Sequence, residues 1–158
     1  MVAQAPVSTA GEPLRILVSD QDEQAREALR RCLQRRHYKL YEAGSGREAL
    51  HILRRRVVHV LVSAVELPDT TGFDVARGLR ELDRWVPFIL TVSELNKEVL
   101  LRALLARAFT VIQKPIDDWL FQTTLDHLVG RWYRMGVPPV RDGRRSSWRW
   151  SVREEELL

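Results

Sequence analysis

Residues able to do acid–base or nucleophilic work are spread thinly along this chain. The four histidines, His37, His51, His59 and His127, show neither an HxxxH pattern nor a Cys/His spacing that would hold a metal. The single cysteine, Cys32, excludes an internal disulfide and an all-cysteine metal cage. Gly44-Ser45-Gly46 is too short for a phosphate-binding fingerprint, and Ser45 with Glu48 spells a helix capping box instead. What remains are isolated polar residues beside short apolar runs. Asp20 follows Leu14 to Val18, Ser93 follows Pro87 to Val92, and Lys114 follows Phe109 to Ile112. The run Val58 to Val65 is the most apolar, and Leu67-Pro68 and Asp69 to Gly72 close it. Its end, Ser63-Ala64-Val65, offers no acid, base or metal ligand.

Five strand–helix units must position these residues. Leu14 to Val18 reads as a strand, Asp22 as the cap of the next helix, and Ala25, Ala28, Leu29, Cys32 and Leu33 as its buried face. Cys32 is therefore core filler. Tyr38 to Tyr41 is a second strand. The second helix turns Ala49, Leu50 and Leu53 inward and ends in Arg54-Arg55-Arg56, where cations suit the macrodipole. Val58 to Val65 is a strand buried on both faces. A third helix runs from about Gly72 to Leu82, and Gly78 inside it costs about 1 kcal/mol against Ala. Pro87 to Val92 is a fourth strand, and Asn96 caps a helix bearing Val99, Leu100, Ala103 and Leu104. Phe109 to Ile112 is a fifth strand. In the fifth helix Phe121, Leu125, Leu128, Val129 and Trp132 form one stripe, with Trp119 nearly opposite and partly exposed. This alternation predicts an α/β fold: a flavodoxin-like (βα)5 doubly wound parallel sheet of order 2-1-3-4-5.

With 158 residues, 45% of them hydrophobic, the chain has material for one cored domain. Residues 1–13 read as a disordered lead-in, 14–132 as the domain, and 133–158 as a linker, Val137 to Val140, and an Arg/Trp-rich tail. No run approaches the roughly 18 apolar residues of a membrane span, and the N-terminus lacks the basic-then-apolar pattern of a secretory signal. A cytoplasmic protein is expected, with no membrane contact. The net charge of +4, from 25 basic and 21 acidic residues, is a modest excess that a solvated arginine-rich surface explains.

Leu67-Pro68 followed by Gly72, with Asp20 after the first strand and Lys114-Pro115 after the fifth, resembles the receiver domain of bacterial response regulators over about Leu14 to Trp132. The resemblance implies a phosphorelay module with a defined site. There the first strand ends in two acids that hold magnesium; here they are Asp20 and Gln21. The third strand ends in an aspartate that takes phosphate from a histidine kinase; here Ala64 holds that position. The hydroxyl residue ending the fourth strand is replaced by Val92, with Ser93 next, and the aromatic switch residue by Val111. Lys114 matches.

The expectation is therefore a pseudo-receiver. It has no enzyme activity and no cofactor, and it is not a magnesium protein, although Asp20 is the one remaining candidate ligand. Asp20 and Lys114 read as a residual ion pair, worth about 0–1 kcal/mol if exposed, with Glu66 as a further partner for Lys114. Output is expected through a protein partner, a kinase or an output regulator, and a homodimer is open. In the family the face of the fourth helix, fifth strand and fifth helix makes such contacts. Here Trp119, Arg102 and Arg107 are the candidates, with Trp148, Arg149 and Trp150 in the tail. Nucleic-acid binding by Arg144, Arg145, Trp148, Arg149, Trp150 and Arg153 is the alternative. It ranks lower because Glu154-Glu155-Glu156 would repel phosphate.

Overall fold

In a computed structural model, described at residues 13–34, 36, 38–134, 140–141 and 148–149, strands and helices alternate. They are β1 (Arg15–Ser19), α1 (Glu23–Gln34), β2 (Lys39–Ala43), α2 (Gly46–Arg55), β3 (Val60–Ala64), α3 (Gly72–Glu81), β4 (Phe88–Val92), α4 (Lys97–Leu105), β5 (Thr110–Gln113) and α5 (Asp118–Val129). The five strands form one parallel sheet in the order β2-β1-β3-β4-β5, the predicted topology. A π-helical turn, Gly130–Arg134, extends α5, and two short antiparallel strands, β6 (Val140–Arg141) and β7 (Trp148–Arg149), pair with each other.

The period of two along each strand divides the core into two layers. Leu17, Leu61 and Leu90 meet Leu53 of α2, Val75 and Leu79 of α3 and Ala103 of α4 on one face. Ile16, Val18, Val60, Val62 and Ile89 meet Leu29 and Leu33 of α1 and Phe121 and Leu125 of α5 on the other. β3 lies in the middle, which is why its sequence is a continuous apolar run. The sheet is right-handedly wound by this connectivity, so the loops after β1, β3, β4 and β5 converge at one end.

One helix face differs from the predicted one, and α4 buries only part of its apolar positions. On α1, Ala28 is exposed, because it lies about 100° round from Leu29 and only the sector of Leu29, Cys32 and Leu33 reaches the sheet. On α4 the inward stripe is Val99, Ala103 and Ala106; Leu100 and Leu104 are exposed. The small Ala103 lets the helix approach the sheet, and the larger leucines are turned out.

The caps are local. Ser45 Oγ accepts the Glu48 N–H, while Glu48 closes the box on the Gly44 N–H instead of that of Ser45. Asn96 and Asp117 cap α4 and α5, and Asp22 Oδ1 accepts the Gln24 N–H at the start of α1. Gly78, unfavourable for helix propensity, sits where a Cβ would stand 2.4 Å from Leu50 Cδ2, so it admits α2 against α3.

At the amino ends of β1 and β3 the chain is closed by the π-helical turn. Tyr133 donates its hydroxyl to the His59 carbonyl at 2.6 Å and meets the His59 ring edge-on. His59 Nδ1 accepts the Arg15 N–H at 2.9 Å, so His59 is a structural residue at the entry to β3. Trp132 packs on Trp85 with ring centroids 4.9 Å apart. Burial pushes the Tyr133 phenol well above its usual range.

Many arginines are spent inside the fold. Arg84 donates to the carbonyls of Leu53 and Arg56 at the end of α2, and Arg80 to that of Ala106 at the end of α4. Arg30 binds Glu42 in a fork, and Arg36 binds Asp126. Among the described residues no helix is long and apolar enough to cross a membrane.

Candidate functional site

The parallel register carries the isolated polar residues of the sequence into one place. Ser19 pairs with Ser63, Ala64 with Thr91 and Val92 with Gln113 across adjacent strands. Beyond these ends Asp20, Gln21, Asp22, Ala64, Glu66, Thr91, Val92, Ser93 and Lys114 line a cavity of about 210 Å³. The Lys114–Pro115 peptide is cis, and the Lys114 N–H donates to the Val92 carbonyl at 2.7 Å.

The cavity is organised by one ion pair. Lys114 Nζ lies 2.6 Å from Asp20 Oδ2, an ion pair rather than an aligned hydrogen bond. Asp20 Oδ1 accepts the Asp22 N–H at 2.9 Å, and the Asp20 carbonyl accepts Arg26 Nη1. Asp20 is 1% exposed, so the value for an exposed pair does not apply. A buried pair gains little over apolar packing, but stripping one partner from it costs about 3–5 kcal/mol. The expected contact of Glu66 with Lys114 is not made: Glu66 is exposed at the rim, and its backbone pairs with Thr71. Chain alternation points it out while Asp20, already buried beside the lysine, takes the ammonium.

Ala64 ends β3 with its methyl group buried on the cavity floor. Ser63 turns away and donates to the Ala64 carbonyl at 3.0 Å. Gln21, Asp22, Glu66 and Ser93 stand exposed around the mouth. Three carboxylates, Asp20, Asp22 and Glu66, and one ammonium, Lys114, line the cavity, leaving it at about −2. Among the described residues no three His, Cys, Asp or Glu side chains are grouped to hold a metal ion.

Thr91 was missed by the sequence reading. Val92, counted from Pro87 as the hydroxyl position, lines the cavity, and so does buried Thr91, directly across from Ala64. Only the strand register reveals this. Asp69 was missed too. It reaches from the β3–α3 loop to accept the N–H groups of Gly46 and Arg47, adding to the local cap that Ser45 gives α2. These bonds hold its carboxyl below the usual carboxylate range, the Gly46 N–H contributing most. Gly72 lies under the same loop, where a Cβ would stand 2.4 Å from the Ala64 carbonyl oxygen.

The expected contact residues are not gathered. Val111 is half-buried in β5. Trp119 is 73% exposed, as its place on α5 predicts. Arg102 lies 4.3 Å over the Phe73 ring of α3, so it leans away from the β5 edge and from Trp119. Arg107 is exposed just past α4, with φ 62°. Trp148 and Arg149 form β7; Arg144, Arg145, Trp150 and Arg153 lie outside the described residues, as do 137–139 of the expected linker.

A five-stranded doubly wound sheet with an acid after β1 and Lys-Pro after β5 defines a signalling module of the receiver type. The profile of the response regulator receiver domain matches residues 16–126, and the chain belongs to that family. It is 33% identical to the response regulator MprA of Mycolicibacterium vanbaalenii over 67% of this chain and 53% of that one. It is 30% identical to the probable transcriptional regulatory protein TcrX of Mycobacterium tuberculosis over 68% and 46%. The chain thus spans about half the length of these curated relatives. Among solved structures, the chemotaxis protein CheY4 of Vibrio cholerae superposes with TM-score 0.68 at 24% identity, covering 72% of this chain and 97% of that one. The HemR receiver domain of Leptospira biflexa gives 0.68 at 27%, covering 73% and 94%.

Proposed function

We propose that this chain is a pseudo-receiver: a receiver module of a two-component-type pathway that works without phosphorylation, by contact with another protein. The observation that carries the reading is the end of β3, where buried Ala64 offers a methyl group at the floor of the cavity. Phosphoryl transfer to a side chain needs a nucleophilic oxygen, and a methyl group supplies none.

Magnesium does not fit the residues present. It demands near-octahedral oxygen ligands. Asp20, the one family acid left, is already held by Lys114, and Gln21 is neutral. Without a cation, a phosphoryl group would meet a lining of about −2, and Coulomb repulsion opposes its entry. Lys114 then serves the fold by neutralising Asp20. The chain has no catalytic role in this reading. Its partner is a protein, a kinase or an output regulator, and Trp119 is an exposed aromatic anchor of the kind such contacts use.

Magnesium titration tests the cavity. A native-state site raises stability by RT ln(1 + [L]/Kd). The melting temperature of the full chain is expected to be the same in millimolar magnesium chloride and in sodium chloride at matched ionic strength. A magnesium-specific rise, abolished in Asp20→Asn, would contradict the reading.

A further inference from the structure

α2 ends in more positive charge than its own structure uses. Arg54, Arg55 and Arg56 are exposed, and among the described residues none of the three has a carboxylate partner. Cations suit the carbonyl end of a helix, but here the carbonyls of Leu53 and Arg56 already accept from Arg84. The adjoining end of α3 is neutral, with Arg80 and Arg84 set against Glu81 and Asp83. Three guanidiniums are therefore left facing solvent. One turn back from Arg54, half-buried Leu50 lines a cavity of about 410 Å³ between α2 and α3, with Arg47 and Arg54 on the α2 side and Asp69 and Asp74 on the other. Both acids are engaged. Asp69 accepts the Gly46 and Arg47 N–H groups, and Asp74 accepts the Thr70 and Thr71 hydroxyls and Arg77. The tail leaves the domain at the same end. Tyr133 donates to the His59 carbonyl, and Arg56 stands three residues before His59, at most about 11 Å along the chain.

We propose that the chain's own acidic run, Glu154-Glu155-Glu156, which lies outside the described residues, docks on Arg54, Arg55 and Arg56, with Leu157 and Leu158 running on toward Leu50. Three carboxylates then meet three unmatched guanidiniums, and two leucines meet the apolar wall of the α2–α3 cavity. A guanidinium can grip a carboxylate by two parallel N–H bonds, which gives the contact direction as well as charge. Exposed pairs are each worth at most about 1 kcal/mol, so the tether and the leucines decide that the contact forms. The tether is short. Six residues lead from Arg134 to Val140, β6 and β7 then pair Val140 with Arg149, and five more residues reach Glu154. Glu154 is thus held within about 45 Å of the π-helical turn even when the chain is fully extended. A flexible tether of this kind keeps a segment at roughly millimolar effective concentration. A nucleic acid fits less well, because Asp69 and Asp74 on the far wall would repel its phosphates. Docked, the acidic run covers the arginines and closes this face to other acidic ligands. None of these residues lines the cavity at the carboxyl ends of the strands, so the contact stands or falls independently of phosphorylation.

Distances between two nitroxide labels on the full chain test the contact, one at His51→Cys on the exposed side of α2 and one at Ser151→Cys; buried Cys32 stays unlabelled. A short, narrow distance distribution is expected at low salt, unchanged by dilution with excess unlabelled chain. It should broaden in Arg54→Gln/Arg55→Gln/Arg56→Gln, in Glu154→Gln/Glu155→Gln/Glu156→Gln and in molar sodium chloride. Reversing both sets, Arg54→Glu/Arg55→Glu/Arg56→Glu with Glu154→Arg/Glu155→Arg/Glu156→Arg, should bring the short distance back. Circular dichroism should be the same for every variant, because the three arginines are exposed. A broad distribution in the parent would overturn the proposal, and so would a narrow one that both neutralised variants keep. A short distance that disappears on dilution with unlabelled chain would seat the acidic run on a second copy, against the proposal. One lost on adding a stoichiometric single-stranded oligonucleotide would give the face to nucleic acid and overturn it too.

Discussion

The cavity at the carboxyl ends of the strands and the outer face of α4 lie within one domain and are built on opposite principles. In the cavity the charged groups are turned on each other: Lys114 on Asp20, and the Asp22 N–H on the same carboxylate. On α4, Leu100, Leu101, Leu104 and Leu105 are exposed. On the proposed reading, the difference separates the part of the domain that holds the fold from the part open to a partner. Substitutions in the cavity should cost stability, and substitutions at the exposed positions of α4 and α5 should cost the fold little.

The largest effect is expected at the ion pair. Lys114→Ala leaves Asp20 buried without its cation and should destabilise the domain by about 3–5 kcal/mol, read by urea unfolding. Asp20→Asn/Lys114→Met should lie much nearer the parent, since no charge is then stranded. A harmless Lys114→Ala would show that the cavity is not held by this pair.

Gly72→Ala should cost about 1–3 kcal/mol, because its new methyl group would meet the Ala64 carbonyl. Gly130→Ala, with nothing near its Cβ, is the control and should be neutral or stabilising. Equal effects at the two glycines would remove the close approach from the account.

A smaller effect separates the α2 cap. The Asp69 carboxyl is held below its unfolded value, so its contribution is present above that value and fades as pH falls through the lower, folded one. Below about pH 4, the wild type should therefore lose stability that Asp69→Ala has already lost, and the two unfolding curves should converge. Parallel curves would deny the carboxylate this role. The smallest effect is expected at Trp119→Ala, within about 0.5 kcal/mol of the parent in monomer stability. A clear loss would make that tryptophan part of the fold.

The sequence made the fold legible because each level agreed. β3 is apolar on both sides, Asn96 and Asp117 begin helices, and the fifth helix carries a single clean stripe. Asp20, Ala64 and Lys114 could be placed because each ends a strand. Thr91 could not, because the register between β3 and β4 depends on packing along the whole ladder. Asp69 was hidden for a related reason: it caps a helix 22 to 23 residues earlier in the chain. On α4 the periodicity offered two apolar stripes, and nothing local states which one meets the sheet. Close approach through Ala103 decides it, and that choice turns the leucines outward.

The central claim is that the cavity takes no phosphate. Intact-mass measurement of the full chain after incubation with a small-molecule phosphodonor and magnesium addresses it directly, with Ala64→Asp/Gln21→Asp as the comparison that restores both family acids. The account predicts an unchanged mass for the wild type, whatever the double variant does. A stoichiometric, acid-labile gain of one phosphoryl group on the wild type would contradict it.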